Sequence, residues 1–596
     1  MTTFDGTAFD MTVRGAVAAA SPVAAVTAAY ARIRAYQAID PAVWVALVPE
    51  DQALAAARAL EAEGPLGKPL YGVPFAVKDN IDTVGLPTTA ACPAYAYQPA
   101  EDAPVVARLK AAGAILVGRT NMDQFATGLV GTRSPHGAPR CVVDRAYISG
   151  GSSSGSGVAV AAGLVAFALG TDTAGSGRVP AAFNTIVGIK PTRGLLSTRG
   201  VVPACASLDC VTVFARTVGD GDRVRRVAEG FDPADPWSRA PRPVPLPPCP
   251  RIGVLASADR DFAGDQAAAA LYAAAIDRAR GLGWDVVEID YAPFRDAAAL
   301  LYTGPWVAER AVAVGDFIRA NASACDPTVA GIVLGGDRYS ARDAFDGIAR
   351  LKALRRQAER QWETMDALLL PTAPTQYRVA DVEADPVRLN ATLGLYTNFV
   401  NLFDLAAVAV PGGVRPPGGE KGGLPFGVTL IGPAFSDGAL ANLGDTLHRS
   451  RDDAAPLVRG HDGTVHLAVV GAHLRGQPLS HHLSQRGAAF LRTDRTAPDY
   501  RLYALADTVP AKPGLVHTPG YQGPGLEVEV WALSHAAFGA VTAEVPPPLA
   551  IGTVTLADGR TIKGFVCEPA GLDGAEEITG YGGWRAWRAA RMPPAP

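Results

Sequence analysis

The seven cysteines of this 596-residue chain, Cys92, Cys141, Cys205, Cys210, Cys249, Cys325 and Cys567, are scattered, odd in number and free of any C-x-x-C pair. That pattern supplies neither a disulfide framework nor a zinc site, and it suits a reducing cytoplasm. Long apolar runs are also missing. The longest, Val158 to Leu169, is interrupted by Gly163 and is too short to cross a bilayer. The N-terminal MTTFDGTAFDMTVRG has no basic start followed by an apolar block, so no export signal is expected. Basic residues form no stripe and the net charge is only −4, which excludes nucleic acid as an expected partner. Histidine is scarce as well: of nine, only His136 falls within the first 447 residues, so a Ser-His-Asp triad is poorly supplied there.

What is present reads as a globular α/β protein. Hydrophobic residues make up 48% and charged residues 19% of a chain long enough for two or more cores. Residues 11 to 63 are alanine-rich with apolar residues at helical spacing. YGVPFAVKDNI (71 to 81), GAILVGRTNM (113 to 122), DALLLPTAP (366 to 374) and LPFGVTLIGPAFSD (424 to 437) read as buried strands closed by turn residues. RIGVLA, an Ala-rich helix around 265 to 282 and WDVVEIDY form a strand, helix, strand unit after the Pro-rich connection 231 to 250. The expectation is a mixed sheet flanked by helices over 1–457, then a smaller α+β domain over 465–596 beyond the charged, turn-rich stretch at 449 to 463.

The stretch YISGGSSSGSGVAV (147 to 160) packs serines and glycines against an apolar run. A flexible linker does not feed a buried helix and then a second Gly/Ser turn, TDTAGSGR (171 to 178). A phosphate loop lacks its lysine and spacing. Catalysis by a serine needs a base, and a lysine serves if burial holds it neutral. Lys78, within the apolar GVPFAVKDN, is placed for that, unless it reaches water from a strand end.

Taken together and in order, GVPFAVKDNI, SGGSSSGSG and GTDTAGSGRVPAAFNTIVGIKPT resemble the amidase signature enzymes over roughly residues 20 to 450. The resemblance implies a Ser, cis-Ser, Lys triad: Ser176 as nucleophile, Ser152 as the bridging serine and Lys78 as base. It also implies an acyl-enzyme, with an oxyanion hole made from the backbone N–H groups of Thr173, Ala174, Gly175 and Ser176. Ser153 and Ser154 are then expected to cap the following helix, with Ser154 the competitor to Ser152, and Asp172 and Arg178 to brace the loop.

LLYTGPWVAERAVAV (300 to 314) resembles the segment of allophanate hydrolases that carries a substrate-binding tyrosine and arginine, here Tyr302 and Arg310. An ion pair of Arg310 with Glu309 or another acid is the equal alternative. HLAVVGAHLRGQPLSHHLSQRGAAF (466 to 490) and the β-rich remainder resemble the C-terminal domain of the same enzymes, similar in fold to gamma-glutamyl cyclotransferases. That likeness implies decarboxylation of N-carboxycarbamate, with His481 and then His473 as candidates; a purely structural role is the alternative. The implied protein is a cytoplasmic allophanate hydrolase of urea degradation. It needs no cofactor or metal, forms a homodimer through its N-terminal helices and is linked to a biotin-dependent urea carboxylase. The rivals are a general amidase and a glutaminase-type amidotransferase subunit.

Overall fold

A computed structural model describes residues 10–18, 21–247, 249–418, 420–450, 464–486, 488–506, 508–557 and 561–591. The chain forms two compact units, Met1–Ala454 and Ala455–Pro596.

The first unit is built on one eleven-stranded sheet. Its strands are β1 (Trp44–Leu47), β2 (Pro74–Lys78), β3 (Ile115–Thr120), β4 (Phe167–Asp172), β5 (Val187–Lys190), β6 (Cys210–Ala215), β7 (Arg251–Leu255), β8 (Asp285–Ile289), β9 (Ala367–Pro371), β10 (Leu405–Val414) and β11 (Pro425–Pro433). They lie in the order β1-β3-β2-β4-β6-β5-β10-β11-β9-β7-β8. Two parallel trios, β3-β2-β4 and β9-β7-β8, are joined through antiparallel β6, β5, β10 and β11. Strands β2 and β4 are buried along their whole length, the polar ends Lys78, Thr171 and Asp172 included, as befits central strands covered on both faces. Their register sets Phe75 opposite Phe167, and the two rings stack at 5.1 Å.

The N-terminal residues form helices Val13–Ala18, Pro22–Gln37 and Glu50–Glu63. The second begins on Ser21, whose hydroxyl accepts the Ala24 N–H at 3.1 Å, with Pro22 in the first turn where a missing N–H costs nothing. The Gly/Ser stretch opens the helix Ser154–Ala161. Its glycines answer a packing demand: a Cβ at Gly155 would fall 2.4 Å from the Val43 carbonyl oxygen.

The second unit has β12 (Thr464–Val469), β13 (Ala489–Arg495), β14 (Tyr500–Ala504), β15 (Pro513–His517), β16 (Glu527–Ser534), β17 (Leu549–Thr555), β18 (Thr561–Cys567) and β19 (Glu576–Glu577). These make a five-stranded sheet, β13-β16-β12-β18-β17, and a three-stranded one, β15-β14-β19. Leu467, Val469, Val528, Val530, Leu533 and the paired rings of Trp584 and Trp587 belong to a core of its own.

Candidate active site

Lys78 is the last residue of β2 and is fully buried, so it does not reach water from the strand end. Its Nζ donates to Ser152 Oγ at 2.8 Å and to Thr171 Oγ1 at 2.7 Å, the latter presented by the neighbouring strand β4. Burial strips water from the ammonium and pulls its pKa down to about 7, against the opposing pull of Asp123, Asp209 and Asp172. An amine in that state can exchange a proton with a hydroxyl near neutral pH. The peptide bond between Gly151 and Ser152 is cis.

The three consecutive serines Ser152, Ser153 and Ser154 divide their work. Ser152 meets the lysine. The hydroxyl of Ser153 donates to the carbonyl of Thr171 at 3.1 Å, and that of Ser154 to the carbonyl of Asn121 at 3.4 Å. Neither caps the helix with its side chain, contrary to the expectation: both hydroxyls are engaged instead by carbonyls of neighbouring segments.

Ser176 lies in the turn after β4, and its hydroxyl donates to the Gly128 carbonyl at 3.4 Å. No hydrogen bond joins Ser176 to Ser152 among the described residues. In the same turn the N–H groups of Thr173, Ala174, Gly175 and Ser176 donate to no protein acceptor among the described residues. Four consecutive uncommitted donors in a buried turn suit a negative oxygen. Gly175 has φ +144, and a Cβ there would fall 2.5 Å from Thr397 Oγ1.

A fully buried ion pair fixes this turn from beneath. Arg178 Nε and Nη2 reach the two oxygens of Asp172 at 2.9 and 3.0 Å, and the Gly177 N–H adds a third bond at 3.0 Å. Burial acts to raise the Asp172 carboxyl, but Arg178 and these donors outweigh it and hold it below the usual carboxylate range. Asn401, which no sequence motif marks, ties the Asp172 and Leu208 carbonyls together at 2.7 and 2.8 Å.

Arg310, on the helix Trp306–Ala320, is buried and ion-pairs with no carboxylate among the described residues. Its neighbour Glu309 instead accepts the Ser207 N–H and hydroxyl, each at 2.7 Å. The guanidinium donates to Thr127 Oγ1 at 3.2 Å and Tyr302 OH at 3.5 Å and lies 5.3 Å from the Tyr302 ring centroid, while its Nε has no partner. Burial opposes its charge, yet Cys205, Tyr302, Asp209 and Glu309 together keep it cationic. Thr127 precedes Gly128, the residue that holds the Ser176 hydroxyl, so the lone guanidinium and the serine flank one stretch of backbone.

The second unit contains a cavity of about 240 Å³ lined by His473, His482, Lys512, Glu544 and apolar residues including Phe565 and Leu549. His473 stacks on Phe565 at 4.9 Å between ring centroids, and burial followed by the nearby His482 and Lys512 lowers its pKa to about 4. His481 is exposed and its ring lies 4.5 Å from that of His482. The structure thus brings His473 to the cavity, leaves His481 outside its lining and adds His482, a neighbour in the sequence that was not nominated as a candidate. Among the described residues no three His, Cys, Asp or Glu side chains converge as metal ligands.

The amidase family model matches residues 24–441, the stretch that holds all of the first site. The chain belongs to the amidase family. Beyond the amidase unit, residues 465–589 match the allophanate hydrolase C-terminal domain model. The crystal structure of allophanate hydrolase from Kluyveromyces lactis is 39% identical, with a TM-score of 0.74 over 98% of this chain and 100% of that one. The urea amidolyase of Lachancea kluyveri is 43% identical over 579 residues, 92% of this chain; the chain spans only 31% of that relative's length. The amidase unit is also similar to a glutamyl-tRNA(Gln) amidotransferase subunit of Symbiobacterium thermophilum, at 36% identity over 70% of this chain and 92% of that protein.

Proposed function

We propose that the chain hydrolyses allophanate, releasing ammonia through an acyl-enzyme on Ser176. The observation that carries this reading is Arg310: a buried guanidinium without a carboxylate partner, set across one backbone stretch from a serine whose turn offers four free N–H groups. A buried cation left unpaired by the protein fits a small substrate that brings its own anion.

Allophanate carries a carboxylate at one end and a primary amide at the other. Arg310 and the Tyr302 hydroxyl take the carboxylate, and the amide carbonyl lies in the turn of Thr173, Ala174, Gly175 and Ser176. Rotation of the Ser176 side chain away from Gly128 brings its hydroxyl toward Ser152. Ser176 Oγ then bonds to the carbonyl carbon while its proton passes to Ser152 and the Ser152 proton to neutral Lys78. The reverse passage protonates the departing nitrogen, and ammonia leaves. Water repeats the sequence on the acyl-enzyme and frees N-carboxycarbamate, which the second unit decarboxylates, with His473 in its cavity and His481, beside the lining residue His482, as the candidates. A cytoplasmic homodimer through the N-terminal helices completes the reading; sedimentation tests the dimer. The longer urea amidolyases, of which this chain matches a part, support a functional link to a biotin-dependent urea carboxylase.

The test is ammonia release by purified protein from allophanate, biuret, glutamine and simple amides. Allophanate is expected to be preferred by at least about 10-fold in kcat/KM, the scale of one charge-assisted contact. Preference for glutamine would favour the amidotransferase reading, and equal use of all amides the general one.

A further inference from the structure

Between the helix that carries Arg310 and the turn that carries Ser176 lies a short loop, Ala204–Asp209, which no motif singled out. One of its ends grips the helix: Ser207 donates twice to Glu309, each at 2.7 Å, and Cys205 Sγ lies 3.4 Å from the Trp306 carbonyl. The other end grips the turn through Asp209, whose buried carboxyl accepts the Thr173 hydroxyl. The same carboxyl closes the loop on itself, accepting the Ala204 N–H at 2.8 Å and the Cys205 N–H at 3.2 Å. We infer that this loop is a strut coupling anion engagement at Arg310 to the alignment of the Thr173–Ser176 turn, with Asp209 as its positioning residue. The inference rests on the roles given above to Arg310 and the turn.

Three features support it. Every polar contact of the Asp209 carboxyl is spent on holding loop and turn, so its side chain is committed to geometry. The two segments it joins have no need of a carboxylate for solubility, since all its partners are buried. Its charge is felt on both sides, by Arg310 and by Lys78, which also faces Asp123 and Asp172. Asp172 is paired to Arg178, and Asp123 accepts the Val130, Gly131 and Arg133 N–H groups. Burial raises the Asp209 carboxyl to about 6, so it is ionised in the range where Lys78 loses its proton and there favours the ammonium form.

The experiment uses the full chain, with ammonia release from allophanate and from biuret, its uncharged isostere, as readout. Asp209→Asn is expected to lower kcat for allophanate by at least about 10-fold with KM changed less than about threefold, because the turn is misaligned while Arg310 remains. It is also expected to move the acid limb of kcat/KM to lower pH, since a negative charge favouring protonated Lys78 has gone. Glu309→Ala, which cuts the strut at its other end, is expected to reduce the allophanate-to-biuret preference by about 10-fold. Should Asp209→Asn fail to fold, Thr173→Val is expected to lose kcat and Thr173→Ser to retain it within about threefold. An acid limb that stays in place, an unchanged preference in Glu309→Ala, or equal kcat in the two Thr173 variants overturns the strut. Wild-type protein inert on allophanate but active on biuret overturns the substrate reading instead, and the acid limb measured on biuret still tests Asp209.

Discussion

Lys78 concentrates the physics of the site in one atom. Water is excluded from it, three carboxylates act on it from a distance, and two hydroxyls are in contact. A base must be uncharged to accept a proton, so kcat/KM is expected to be full above about pH 7 and to fall as pH drops through that value. A pH profile with no acid limb between about pH 6 and 8 would contradict this. Ser176→Ala is expected to remove at least about 10⁴-fold of kcat while circular dichroism stays native. Arg310→Met, which keeps bulk and removes charge, is expected to raise KM for allophanate about 10- to 100-fold with less effect on biuret. Lys78, Ser152 and Ser176 could be nominated from the sequence because their motifs are local. Thr171, Thr127 and Asp209 were not, because their roles depend on partners from β2, the helix Trp306–Ala320 and the turn after β4.

At the scale of elements, the site is a junction of strand ends and turns. Strands β2 and β4 run parallel side by side, β4 continuing past the level of Lys78 to Asp172, so Lys78 and the residues following each strand meet at one end of the pair. Strand β2 was readable as an apolar run bounded by turn residues; β4 was not, because its apolar residues continue those of the helix before it. The sheet's order was not, since pairing β5 with β10 joins segments far apart in the chain and leaves no local pattern. The Thr173–Ser176 turn relies on Gly175, where φ is +144 and Thr397 closes the space a side chain would need. Gly175→Ala is therefore expected to lower kcat by about 10²-fold, comparable to losing one oxyanion donor, with KM less affected. Steady-state kinetics on one amide checks this.

On the scale of the whole molecule, the two units each own a hydrophobic core, one running from Val13 to Leu447 and the other from Leu467 to Trp587. A fragment ending at Ala454 is expected to melt cooperatively and to release ammonia, and calorimetry with an ammonia assay checks both. The sequence changes texture near residue 460, and the compact units divide at Ala454. The cavity beside His473 did not announce itself, because its lining comes from β12, β15, β17, β18, the helices Ser480–Ser484 and His535–Ala543 and the loops between them.

The central position of β5 has a consequence for the chain as it leaves the ribosome. One flank of that strand is satisfied by β6, but the other waits for β10, which is translated about two hundred residues later. Until then a nascent chain carries bare amide and carbonyl groups along an apolar border, the kind of surface that chaperones shield and that sticks to its own copies.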